Sequence, residues 1–389
     1  MKTKRNAIKT CLLGAAALLS AFLCSDTAAQ NVLASFDGTN GAFPQAPLIM
    51  SGSTLYGTTS GGGAYNDGTV FSIPVSGGPV STLASFNSNN GAWPVAGLLL
   101  SGSTLYGTTY EGGAYNDGTA FSIPVAGGAV TTLATFNGTN GKWPIGALVL
   151  SGSTLYGTAS YGLGSVFSIP VGGGSVTTMA SFSGENGYEP QGGLILSGST
   201  LYGTTFYGGE YVYSPDDGTV FSIPIGGGSL TTLAWFSGGN GQGPYCSLIL
   251  SGSTLYGTTE DGGAYNDGTV FSIPVARGSV TTLASFNGAN GTGPCAGLIL
   301  IGSTLYGTAV GGGAYNDGTV FSVSSTVPIP LNIQCNGACM VLSWDDPASD
   351  FSLQSAPAAT GQFTNIPGAT SPYTNGMTGA QQFFQLIGN

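Results

Sequence analysis

The chain has 389 residues, 41% hydrophobic and only 6% charged, with 68 glycines, no histidine, and six lysines and arginines against seventeen acids. The absence of histidine excludes Ser-His and Cys-His nucleophile pairs and every zinc or copper site built on imidazole. So few cations exclude a nucleic-acid partner, whose affinity rests on neutralising phosphates, and attraction to anionic lipid fails for the same reason.

The first element in chain order combines a basic head (Lys2, Lys4, Arg5, Lys9), an apolar run from Cys11 to Leu23, and the small residues Thr27 and Ala29. That order predicts a secretory signal peptide over residues 1–29, with an apolar run too short to span a bilayer. The mature chain is therefore expected to be exported to the periplasm, the cell surface or the medium, where disulfides are permitted. Without the signal, Lys142 and Arg277 face sixteen acids, a net charge of −14.

Residues 31–36, "NVLASF", read as a lone strand ahead of a tandem array. "LYGT" starts at Leu55, Leu105, Leu155, Leu201, Leu255 and Leu305, and each copy is followed by a "VFS" or "AFS" whose Phe falls at 71, 121, 167, 221, 271 and 321. The distance from each Phe to the next "LYGT" is constant at 34 residues, whereas "LYGT" to its own Phe takes 16, 16, 12, 20, 16 and 16, so one loop absorbs all the variation. Each unit holds four strand-like runs, shown in the second copy by "AGLLLSG", "STLYGTT", "GTAFSIPV" and "AVTTLATF", with turn residues around each. The first run is nearly all apolar, as for a strand buried on both faces.

Four antiparallel strands per unit of about fifty residues predict β-propeller blades, since solenoid rungs run about 20–30 residues. The sixth unit lacks a fourth run, and residues 31–36 supply one. The expectation is an all-β, six-bladed propeller over 30–325, closed by its N-terminal strand, which would remove the exposed sheet edges. The fourth-to-first and second-to-third loops are then the rich ones and share a face. From 326 to 389 the repeat pattern stops, and "VPIPLNIQCNGACMVLSWDDPASDFSLQSA…QQFFQLIGN" resembles a small fibronectin-like β-sandwich module, with Trp344 expected in its core.

The blocks "SFNG…P" before "GLIL", "LYGT", and "GG…NDGTVFSI", recurring in order over about residues 31–323, resemble the GloVer tandem repeat named for Gloeobacter and Verrucomicrobia. The resemblance implies an exported protein of the "choice-of-anchor" kind, with varied C-terminal anchors. It brings no catalytic residue and no ligand. The third copy, which lacks the Asn-Asp pair, and the enlarged fourth depart from the pattern.

Four groups of residues are candidates for chemistry. Asp67, Asp117, Asp217, Asp267 and Asp317 sit in Asp-Gly-Thr turns, where a carboxylate beside glycine carbonyls would suit calcium, or where Asx chemistry only shapes the turn. Phe43, Trp93 and Trp143 precede a proline in three successive units, with Tyr65, Tyr115, Tyr265 and Tyr315 in neighbouring loops. Such rings would stack on sugars, or pack beneath their own loops. Glu185, Glu189 and Glu210, near the unequal loops of units three and four, would serve a carbohydrate-active hydrolase or lyase if two carboxylates converged. Cys335 and Cys339 flank a three-residue hairpin loop, and Cys246 and Cys295 sit at similar places in adjacent units, so both pairs are expected disulfides.

Near-identical units favour recognition or scaffolding, because a catalytic centre gathers unlike groups. The leading expectation is an exported binding module for glycans or another cell-surface component, needing no cofactor apart from the calcium alternative. An enzyme and a purely structural protein are the competing readings, and oligomeric state is left open.

Overall fold

The computed structural model describes residues 32–209 and 217–325, then 332–336, 339–343, 351–357, 362–376 and 383–388. The signal segment, Asn31, Glu210, Asp216 and Trp344 lie outside these residues. Every regular element among the described residues is a β-strand.

In the first unit the strands are β1 (Ile49–Ser51), β2 (Thr54–Thr59), β3 (Thr69–Pro74) and β4 (Ser81–Ser85), hydrogen-bonded antiparallel in that order. The same four-stranded sheet recurs in the second to fifth units, whose last strands end at Thr135, Ser181, Trp235 and Ser285. β1 turns into β2 through Gly52-Ser53, with Ser51 opposite Thr54 and Gly52 at φ 58°, a two-residue turn that suits the strand twist. The apolar run around β1 extends well beyond its three strand residues. Those residues are exposed or half-buried, whereas Leu98 of the second unit, just ahead of its short first strand, is the buried member of its run.

Alternation along β2 and β3 gives each sheet two faces. Leu55, Gly57, Phe71 and Ile73 share one, and Tyr56 and Val70 share the other. Sheets stack because the second face of one unit meets the first face of the next. Tyr56 and Val70 pack on Leu98, Leu105, Phe121 and Ile123, with Phe86 from the end of β4 closing the group. Equivalent clusters join units two to three, three to four, four to five and five to six. Each seam carries an edge-on pair of rings, Phe86–Phe121 and its four counterparts, at 4.9–5.0 Å. Burial of one such side chain contributes about 1.5–3 kcal/mol, so each seam is substantial. The glycine of "LYGT" follows from the same packing, since a Cβ on Gly107 would lie 2.6 Å from Cζ of Phe121.

The two rich loops of a unit do share a face. Isolated antiparallel bridges tie them together, including Ala42 to Gly61, Ala92 to Glu111, Tyr188 to Tyr207 and Gln242 to Asp261.

The ends differ from the expectation. Residues 32–36 form no strand, and the sixth sheet (Ile299–Ile301, Thr304–Ala309, Thr319–Ser324) has three strands. Closure by the N-terminal strand is thus not among the strand pairings of this structure. The segment instead lies on the first unit as a preceding fourth strand would. Gly78 donates its N–H to Leu33 O at 2.9 Å, as Gly128 does to Leu83 O at 3.0 Å, and Phe36 meets Phe71 at 4.9 Å. On the sixth sheet Val320 is 81% and Tyr306 40% exposed, against 0% and 8% for Val270 and Tyr256. A closing pair would have to join the two ends of the array, a longer loop than any other strand pairing in it requires.

Beyond the array, two three-stranded sheets, Asn332–Asn336 with Cys339–Ser343 and Tyr373–Gly376, and Thr364–Asn365 with Phe351–Ala356 and Phe383–Gly388, bury Leu342 and Leu353.

The expected disulfides are absent here. Cys246 and Cys295 are free thiols, the first buried with Sγ 3.0 Å from Thr258 Oγ1, the second with Sγ 3.3 Å from Gly293 O. Each thiol thus has a local oxygen partner, and no blade-to-blade bridge joins them. Cys339 is free as well, and the hairpin register sets Cys335 opposite Met340 and Cys339 opposite Asn336, so the two cysteines are not cross-strand partners.

Candidate functional site

The residue before the proline that opens each unit has left-handed backbone geometry. Phe43, Trp93, Trp143 and Glu189 take φ of 58°, 56°, 59° and 53°, and Gly243 and Gly293 take 64° and 61° at the same place. The conformation is imposed from both sides. Trp93 donates its N–H to Asp67 O of the preceding unit, and its own carbonyl accepts from Tyr110 N–H, each at 3.0 Å. Glycine adopts this geometry freely, whereas an L side chain there costs about 1–2 kcal/mol. Four of six units nevertheless keep a large side chain.

Three of those four converge. Trp93, Trp143 and Glu189 line one open cleft of about 940 Å³ together with Tyr110, Tyr161, Tyr245, Gln45, Gln191 and Ser160. The Tyr110 ring lies nearly parallel to Trp93 (6.3 Å, 11°) and to Trp143 (5.1 Å, 19°), and Tyr161 meets Trp143 edge-on at 4.9 Å. Trp93 remains 46% exposed. Lys142 braces the wall, with Nζ 2.9 Å from Asp117 and 4.9 Å from the centres of both the Trp143 and Tyr161 rings. The hydrogen bond that Lys142 donates to the Asp117 carboxylate holds its ammonium above its ordinary pKa.

Glu189 is half-buried, and burial raises its carboxyl above the usual range. Tyr110 and Tyr245 are raised by burial too. The result is a concave aromatic wall facing a few polar groups and one carboxylate, a shape that suits flat-faced polar ligands.

The other candidates are placed elsewhere. Tyr65, Tyr115, Tyr265 and Tyr315 stand exposed at loop tips, and neither they nor the exposed Phe43 line the cleft. Glu185 is exposed outside it, so Glu189 is the one carboxylate among the described lining residues.

The Asp-Gly-Thr turns act between units. Asn66, at φ 63°, accepts the Gly62 N–H on its side-chain oxygen at 3.2 Å. Asp67 accepts from Ser88 of the next unit, N–H at 2.7 Å and Oγ at 2.8 Å, and Asp117 pairs with Lys142. Asp217, Asp267 and Asp317 occupy the same place in their own units. Among the described residues no three His, Cys, Asp or Glu side chains converge as a metal site.

Sequence reasoning missed Tyr110, Tyr161, Gln191 and Tyr245, and it did not group Glu189 with the tryptophans. Pro190, at the same offset as Pro94 and Pro144, carries that signal.

With the repeat and its cleft described, comparison with known proteins gives a family. The family model described as the Gloeobacter/Verrucomicrobia repeat matches residues 22–214 and 159–330. The chain belongs to that repeat family. No curated protein matches it. Among solved structures, a protein described as TolB from Agrobacterium tumefaciens is 18% identical, with a TM-score of 0.35 over 51% of this chain and 66% of its own. The GH74 enzyme of Niastella koreensis is 15% identical, with a TM-score of 0.48 over 75% of this chain and 48% of its own. The repeat chain therefore spans less than two thirds of either protein. No helix among its described residues is long and apolar enough to cross a membrane.

Proposed function

We propose that this repeat protein is exported and binds glycans through the cleft of Trp93, Trp143 and Glu189. The scaffold is a six-bladed propeller, closed when residues 31–36 add to the outer edge of Thr319–Ser324. One observation carries the reading: three neighbouring units hold bulky side chains in a backbone conformation that glycine would adopt at no cost, and those side chains line one cleft. Strain kept at converging positions marks a site of use, not of stability. Hydrolysis by paired carboxylates is the weaker reading, because the described lining offers one carboxylate where two are needed.

The test is a panel of oligosaccharides titrated against the mature chain, with and without calcium, comparing wild type with Trp93→Gly. Glycine relieves the left-handed strain while the half-exposed ring is lost, so stability is expected to change by no more than about 1 kcal/mol. Glycan binding is expected to fall at least tenfold, from the loss of one stacked ring. A Trp93→Gly protein that binds as well as wild type refutes the cleft, and silence across the panel in both conditions favours a scaffold. Binding that requires calcium would return the turn carboxylates to a metal role.

A further inference from the structure

Glu189 stands out among the polar groups of the cleft. Among the described residues its carboxylate has no hydrogen bond and no ion pair, although it is half-buried. Asp117, by contrast, is neutralised by Lys142. That ion pair also leaves the cleft without an uncommitted cation among its described lining residues. A half-buried carboxylate lining the same cleft as aromatic rings suits a positive group, since the carboxylate accepts charge-assisted hydrogen bonds and ring faces attract the cation. The walls already do this once, with the Lys142 ammonium held 4.9 Å from the centres of the Trp143 and Tyr161 rings. The same carboxylate repels a carboxylated or sulfated sugar.

We propose that the cleft selects glycans carrying a free, protonated amine, with Glu189 receiving the ammonium while the rings stack on the sugar. The inference rests on the glycan-binding reading and names its ligand class. Backbone geometry supports it, because Glu189 occupies in unit four the strained position that Trp143 holds in unit three, so both side chains are presented to one ligand.

The test is calorimetry on the full mature chain at near-physiological salt, with three probes of equal length: glucosamine, N-acetylglucosamine and glucose oligomers. Wild type is expected to bind the amine form about tenfold or more tightly than the N-acetyl form, the worth of one partly desolvated ion pair. Glu189→Gln is expected to erase that preference while keeping the weaker binding of the neutral oligomers. Glu185→Gln, an exposed residue of the same loop, changes the net charge identically and is expected to leave the preference intact. Equal or tighter binding of the N-acetyl form, or an amine preference that survives Glu189→Gln or falls equally in Glu185→Gln, overturns this inference and leaves glycan binding standing. Absence of binding to all three and to the wider panel overturns both.

Discussion

Closing the array is the step whose consequences can be worked from the structure in most detail. In the complete sheets the residue that begins the third strand lies opposite one at the end of the fourth, as Thr69 lies opposite Ser85, Ser165 opposite Ser181 and Thr269 opposite Ser285. In a closed ring the same register would set Thr319 opposite Ser35. Closure would bury Val320, Tyr306 and Leu48, now 81%, 40% and 48% exposed, to the 0%, 8% and 5% of Val270, Tyr256 and Leu98. Together that is about one and a half fully buried side chains, or about 2–5 kcal/mol before any strand hydrogen bond. A Ser35→Cys, Thr319→Cys double variant tests it. Directly opposed antiparallel residues have Cα atoms about 4.5–5.5 Å apart, within disulfide reach. Oxidation is expected to give a monomer whose peptide map links 35 to 319. The loop it closes is roughly 285 residues, worth about 5–6 kcal/mol, so melting should shift strongly upward on oxidation and return on reduction. Oxidised monomers without the link, or a link found only between chains, would refute closure and make the open edge of Thr319–Ser324 an assembly surface.

Two further outcomes follow from other parts of the molecule. Asp67→Ala removes the acceptor of two hydrogen bonds from Ser88 and is expected to lower stability by about 1 kcal/mol, with the same loss whether calcium is present or chelated. A calcium-dependent difference in melting would contradict the inter-unit role. The Cys295 thiol is pushed up to about 12, first by burial and then by the neighbouring Glu260 carboxylate, from an ordinary 9.0. Its thiolate is scarce at pH 8, so alkylation in the folded protein should run roughly a thousandfold slower than in the unfolded chain. Above pH 9 the unfolded chain ionises this thiol while the folded chain does not, so its contribution to stability falls as pH rises. Fast labelling of Cys295 in the folded state would remove the burial argument.

The sheets were legible because their physics is local. "LYGT" against "VFSIP" sets a hairpin register that repeats in every unit, and the face alternation that makes Tyr56 and Val70 meet Leu105 and Phe121 is written into adjacent letters. The cleft was only half legible. Trp93 and Trp143 announce themselves as aromatic residues before proline, but Tyr110, Tyr161 and Tyr245 come from different loops of different units, and their meeting depends on how successive sheets are rotated. Glu189 was hidden by chemistry: a reader matching side-chain types does not align Glu with Trp, although the backbone treats them alike. The cysteines misled for the opposite reason. Similar positions in adjacent units place the two thiols near enough for Cys246 to act on Cys295 electrostatically, yet both stand as free thiols, so position in the repeat does not by itself give a bond.

The same contrast explains how a near-symmetric array carries an asymmetric site. The Asp-Gly-Thr turn of one unit fixes the backbone of the next, through Trp93 N–H on Asp67 O, Trp143 on Asp117 O, Gly243 on Asp217 O and Gly293 on Asp267 O. That latch does not depend on which side chain the clamped residue carries, so the array holds its geometry while the residue changes from Phe to Trp, Trp, Glu, Gly and Gly. Specificity is therefore free to vary at this position at a cost of only about 1–2 kcal/mol per bulky residue, a loss that the five seams of buried Phe, Leu and Ile easily absorb. If that is the design, exchanging Gly243 for Trp should extend the aromatic wall and tighten stacking ligands without disturbing the sheets. Because the latch on Gly243 is the backbone carbonyl of Asp217, exchanging the Asp217 side chain alone should leave that wall in place, and unequal losses among ligands in such a variant would show that more than the backbone holds it.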